Sequence, residues 1–168
     1  MENPFVLRPY ESAELFCDRE KETRDIIDDL ENGVNVTLIS PRRYGKTGLV
    51  YHVFDEFAKK RPSMTLCYCD IYSADNLEDF VKLLSESIVA NVKAEPTLKK
   101  FFSFFSGIRP LVSYDPVSGS PQVSITYQND GQKLSTLKSI FDFLGSQKKT
   151  FVIAFDEFQI IRNFKGVN

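Results

Sequence analysis

Two stretches of this 168-residue chain carry residue types whose spacing could do chemistry together. The first is Ser40-Pro41-Arg42-Arg43-Tyr44-Gly45-Lys46-Thr47-Gly48, which follows the apolar run VTLI and precedes a helical pattern. A helix N-terminus presents unpaired N–H groups and the positive end of its dipole. A loop wrapped back over that terminus aims further N–H groups at the same point and builds a nest for phosphate. Gly45 is the residue type that lets the backbone curl there without a Cβ clash. Lys46 can reach β- and γ-phosphate oxygens as a point charge, and the Thr47 hydroxyl can hold Mg²⁺. The usual pattern opens on a glycine where this chain has Ser40. Serine is small and suits many turns, so a distorted opening of the loop is expected, not a lost site. Arg42 and Arg43 offer charge to phosphate or to neighbouring acids. Tyr44 is placed to pack on a nucleotide or on the domain surface.

The second stretch is Phe151-Val152-Ile153-Ala154-Phe155-Asp156-Glu157, an apolar run closed by two acids. Carboxylates are costly to bury without partners, so a pair at the end of a buried strand predicts a polar crevice holding a cation or water. The C-terminal ends of parallel strands are where open α/β sheets bind ligands. Asp156 suits Mg²⁺, commonly through water. Glu157, expected on the opposite side of the strand, could polarise an attacking water. Many strands end in acids, but this pair lies 110 residues after Lys46. Together the two stretches predict a nucleoside triphosphate with magnesium.

The elements that must position these residues can be read from periodicity. Residues 18–32 form an amphipathic helix with Ile26, Ile27 and Leu30 on its stripe and Gly33 as its C-terminal cap. Residues 34–39 read as a strand. Leu49, Val50, Val53, Phe54, Phe57 and Ala58 give residues 46–60 the spacing of a core-facing helix, stopped by Pro62. Residues 65–69 read as a strand buried on both faces. Asn76 is placed to cap a third helix whose stripe runs from Leu77 to Val89. Pro96 opens a short helix rich in phenylalanine, expected to be core. Residues 108–127 read as a half-exposed β-hairpin around DPVSGSP. A helix over 131–144 and the strand with the paired acids complete the order. Alternating buried strands and helices predict an α/β fold with a mainly parallel sheet. The expected organisation is a lead-in segment and helix over 1–33 and a nucleotide-binding core over 34–168, with the hairpin inserted at 108–127.

Composition bounds the partners. Lys and Arg number 21 against 23 Asp and Glu, a net charge of −2, which disfavours a globally basic nucleic-acid binder. The charge is uneven, with ten acids and four bases over residues 1–41, then six bases and two acids over 42–61. That local cationic stretch leaves weak nucleic-acid binding open. No apolar run is long enough for a membrane span, and the N-terminus lacks the pattern of a secretory signal. Three cysteines, Cys17, Cys67 and Cys69, fit a reducing cytoplasm better than a disulfide framework. Cys67 and Cys69 share a strand face, but one histidine, His52, leaves no four-ligand zinc set, so they are expected to be packing residues.

ISPRRYGKTGLVYHVF together with FVIAFDEFQ resembles the Walker A and Walker B motifs of the AAA+-like P-loop ATPases of bacteria and archaea. NPF…ELFCDREKE resembles the F-x-[GD]-R-E-x-E segment at the start of the same group. The resemblance implies a three-layer α/β/α P-loop NTPase fold with ATP as nucleotide. It carries Lys46 and Thr47 onto the Walker A positions and Asp156 and Glu157 onto the Walker B positions. It also implies that the segment around Phe16, Asp18 and Arg19 lies near the adenine. Such proteins order their strands 5-1-4-3-2, with the phosphate-loop strand first and the Asp-Glu strand third. The fourth, between them, follows in the chain and carries a sensor residue. This sequence stops at Asn168, before a sensor, an arginine finger or a helical lid. The expectation is therefore a piece of a longer ATPase, with gap closure by strands 1 and 3 themselves or by another chain as alternatives. Homo-oligomers and further C-terminal domains stay open as partners. A catalytically silent nucleotide-binding or regulatory scaffold is the alternative function. A GTPase or small-molecule kinase is disfavoured, because the chain lacks the N-K-x-D guanine signature and the acid pair suits water activation.

Overall fold

A computed structural model describes residues 10, 16, 19–41, 43–92, 95–105, 111–127 and 129–164. The chain divides into two compact units, Met1–Met64 and Thr65–Asn168.

The first unit contains α1 (Glu20–Glu31) and α2 (Lys46–Lys60), which pack on each other. Their apolar stripes bury Ile27 from α1 and Leu49, Val53 and Phe57 from α2. The close of α1 follows directly from Gly33, whose φ is +71°. That left-handed residue turns the chain so that the Gly33 N–H reaches the Leu30 carbonyl at 3.2 Å and the Val34 N–H reaches Asp29 at 2.8 Å. Two otherwise orphaned carbonyls are satisfied in a Schellman arrangement. The strand expected over 34–39 is not formed. A strand exists through its ladder, and among the described residues nothing pairs with this segment. Val34, Val36 and Ile39 are exposed, Ile39 at 92%.

The second unit holds the remaining elements. β1 (Thr65–Asp70) pairs in parallel with β4 (Phe151–Asp156), Tyr68 standing beside Ala154 and Asp70 beside Asp156. β2 (Leu111–Tyr114) and β3 (Pro121–Ser124) form a separate antiparallel hairpin. Helices α3 (Leu77–Asn91), α4 (Glu95–Ser103) and α5 (Asp130–Ser146) lie between them in sequence. A 3₁₀ helix, Phe158–Asn163, follows β4. The result is a mixed α/β arrangement with a small parallel sheet and a hairpin beside it.

Strand alternation divides the parallel sheet into two unlike faces. Cys67 and Cys69 are buried on one face, with Phe151, Ile153 and Phe155 on the same side. Cys69 belongs to the core built from α3, α4 and α5, and the three β4 residues pack against it. Leu66, Tyr68, Val152, Ala154 and Asp156 occupy the other face and are half-buried. The expectation of a strand buried on both faces is thus corrected, because the core of this unit covers one face of β1. The phenylalanines of this segment are core or pack against it as expected: Phe101 in α4 and Phe105 just past its end are buried, Phe102 and Phe104 pack against the core, and Phe101 is in edge contact with Phe143. Asn76 caps α3, its side chain accepting from the Glu78 and Asp79 amides at 2.8 and 3.1 Å. Asp79 answers by accepting from the Asp75 amide at 3.1 Å.

Candidate functional site

The phosphate-loop residues and the paired acids fall in different units, and each group has its own geometry. In the first unit the loop leads directly into α2. Gly45 is the N-cap of that helix with φ +67°, and Lys46 and Thr47 open its first turn. The left-handed conformation costs an L-residue about 1–2 kcal/mol and glycine little. Arg43 adopts a positive φ of 65° as well and bears that cost without glycine's freedom. Such strain concentrates in functional loops. Arg43, Tyr44 and Gly45 are exposed, while Lys46, Thr47 and Gly48 are half-buried. Arg42 lies outside the described residues.

The Lys46 ammonium is turned back onto its own loop. It donates to the Ser40 carbonyl at 3.0 Å and to the Pro41 carbonyl at 3.2 Å. These contacts tie the opening of the loop to its end, across the position where serine replaces the customary glycine. Arg19 braces the same loop from outside. Its guanidinium donates to the Tyr44 carbonyl at 3.1 Å and to Glu22 at 3.1 Å. That hydrogen bond from Arg19 holds the Glu22 carboxyl below its ordinary range.

An aromatic cluster lines α2 beside the loop, and periodicity did not reveal it. The Phe16 ring stacks on His52 with centroids 4.4 Å apart, and its edge lies 3.5 Å from where a Cβ on Gly48 would stand. Tyr10 packs edge-on to Phe16 and donates its hydroxyl to Asp55 at 2.7 Å. Burial and the Asp55 carboxylate both raise the Tyr10 phenol above its usual range. The signal available in sequence was the NPF…ELF segment, which places aromatics ahead of the loop. Asp18 and Cys17 lie outside the described residues.

In the second unit β4 ends at Asp156. Glu157 then takes a left-handed conformation, φ 56°, and caps the 3₁₀ helix. Glu157 is therefore a turn residue, which corrects the expectation that it continues the strand's alternation. Its carboxylate accepts from the side-chain amide of Gln159, also in that turn. Asp156 is held at both oxygens. Oδ1 accepts from the Glu157 N–H at 2.9 Å, and Oδ2 accepts from the Tyr68 hydroxyl at 2.6 Å. Sequence reasoning missed Tyr68, because its partner lies 88 residues away.

A carboxylate and a hydroxyl are hard oxygen donors of the kind magnesium prefers. A carboxylate offers two acceptor oxygens, and both oxygens of Asp156 accept hydrogen bonds. Among the described residues no group of three His, Cys, Asp or Glu could hold a metal by itself. Magnesium commonly takes one or two protein oxygens and completes its shell with phosphates and water, and the Asp156 carboxylate is a donor of that chemistry. Cys67 and Cys69 are free and buried, and burial pushes both thiols up to about 12. Both side chains are taken up in the packing of this unit.

No protein-family profile, curated protein or solved structure matches the chain.

Proposed function

We propose that the chain is the nucleotide-binding part of an AAA+-like P-loop ATPase. The observation that carries the reading is Gly45, left-handed at the N-cap of a 15-residue helix that begins Lys46-Thr47. Left-handed residues alternating with helical ones are a backbone pattern from which anion nests are built, and this supports the reading. The parallel pairing of β1 with β4 supports the same reading, since the resemblance makes the Asp-Glu strand a neighbour of the strand that follows the phosphate-loop helix. The proposed fold is the three-layer α/β/α arrangement of that family.

In this reading Ser40, Pro41, Arg42, Arg43, Tyr44, Gly45, Lys46, Thr47 and Gly48 bind the phosphates of ATP. Thr47 and Asp156 are the residues this reading assigns to magnesium, which would neutralise charge on the phosphates. Lys46 leaves the Ser40 and Pro41 carbonyls for phosphate oxygens. Glu157 orients water for in-line attack on the γ-phosphate. Phe16 and Arg19 flank the loop where the resemblance places the adenine. Among the described residues no helix is long and apolar enough to cross a membrane. A cytoplasmic location is proposed with the function.

The silent scaffold keeps one observation in its favour. Lys46 and Glu157, the two groups that hydrolysis needs, are both engaged by their own loops. Calorimetry with Mg-ATP and a separate phosphate-release assay distinguish the readings. The ATPase reading expects binding that vanishes in Lys46→Ala and phosphate release that depends on Glu157. Binding without release in the wild type supports the scaffold, and absence of both sinks the nucleotide reading. Competition by GTP tests the base preference.

A further inference from the structure

The hydroxyl of Tyr68 reaches Asp156 by a diagonal across the parallel pair. Tyr68 stands beside Ala154 in the β1–β4 register, and Asp156 lies two residues beyond Ala154 on the same face. Diagonal neighbours across a strand pair lie about 7–8 Å apart, within reach of an aromatic side chain. Ala154, the small residue beside Tyr68 in the register, lies on that face, and the phenol closes on Oδ2 at 2.6 Å. The strand position carrying the ring is itself anchored, because Ser87 of α3 donates to the Tyr68 carbonyl at 2.9 Å. The other oxygen of Asp156 is held by the Glu157 N–H. The carboxylate is thus fixed from two directions, one through its own chain and one through a neighbouring strand.

We infer that Tyr68 is a positioning residue for Asp156, setting the orientation in which that carboxylate meets a metal–nucleotide complex. The inference rests on the nucleotide reading above. A carboxylate free to rotate loses orientational entropy on meeting a metal shell, and one already oriented loses less. Removing the hydroxyl removes a hydrogen bond to a charged group while leaving the ring and its packing in place.

The test uses Mn²⁺ as a spectroscopic replacement for Mg²⁺, with free Mn²⁺ read by electron paramagnetic resonance in the presence of ATP. Tyr68→Phe is expected to raise the metal concentration at half-saturation by about three- to tenfold. Its affinity for ATP in EDTA should stay within about twofold of wild type, since the loss of one hydrogen bond acts through the metal. Ala154→Leu keeps the hydroxyl but crowds the ring, and it should shift the metal half-saturation in the same direction. It also serves if Tyr68→Phe does not fold. An unchanged half-saturation in a folded variant overturns the positioning role and leaves the nucleotide reading standing. Equal loss of metal-free and metal-dependent affinity marks a general structural role and overturns it too. A wild-type protein that binds no nucleotide under either condition defeats the nucleotide reading and this inference with it.

Discussion

The ammonium of Lys46 sits on the Ser40 and Pro41 carbonyls, so in the proposed reading an arriving phosphate would compete with two backbone oxygens. Arg19 holds the opposite side of the loop through Tyr44. Arg19→Ala is expected to weaken ATP binding about five- to tenfold by calorimetry, the effect of one charge-assisted hydrogen bond. In the same variant the Glu22 carboxyl, now held low by Arg19, should titrate upward by NMR. Glu157→Gln keeps the turn and removes the base that the ATPase reading assigns. It should retain ATP binding and lower phosphate release by about 10²–10⁴-fold. The buried thiols give a pH signature of their own. Unfolded thiols lose their protons near the ordinary value of 9.0, whereas burial holds Cys67 and Cys69 protonated up to about 12. Their contribution to stability is therefore whole below pH 9 and falls as pH rises from 9 through 12. Denaturant midpoints measured across that window should decline. In a Cys17→Ser background both thiols should resist a disulfide reagent at pH 8 until the protein unfolds.

At the scale of elements, two helix ends carry local instructions that can be tested apart from function. Asn76→Ala deletes the side chain that accepts from the Glu78 and Asp79 amides. The expected cost is about 1 kcal/mol, read from the denaturant midpoint. Gly33→Ala forces a Cβ into a left-handed position, φ +71°, although nothing stands within 4 Å of that Cβ. The expected cost is about 1 kcal/mol from backbone conformation alone. These caps were readable because capping is a relation between neighbours in the chain. The segment 34–39 was misread for the complementary reason. Its alternation of valine and isoleucine favours a strand, but a ladder needs a second strand that local pattern does not supply.

At the scale of the molecule, the two units have their own cores. The second unit is built on a phenylalanine network in which Phe143 is fully buried and meets both Phe101 and Phe104 edge-on. Phe143→Ala should cost about 3–5 kcal/mol through lost burial and the cavity left behind. That is a large part of the about 5–15 kcal/mol typical of a folded domain, and thermal unfolding would register it. The core was partly legible beforehand, since helical spacing marked the stripe from Leu77 to Val89 and residue type marked the phenylalanines that follow Pro96. Which face of β1 is buried was not legible. The run TLCYCD is apolar enough for both faces, and packing of the helices chose the one carrying the two cysteines.

The sequence by itself determined the helix starts and stops, the glycine that turns the loop into α2, and the residue types that could meet a phosphate. All of these are set by a few consecutive residues acting on a backbone with two soft torsions per residue. Tertiary structure alone decided that Tyr68 fastens Asp156 and that Arg19 fastens Tyr44. Each of those contacts joins residues far apart in the chain, and their meeting depends on strand register and packing that no local pattern encodes.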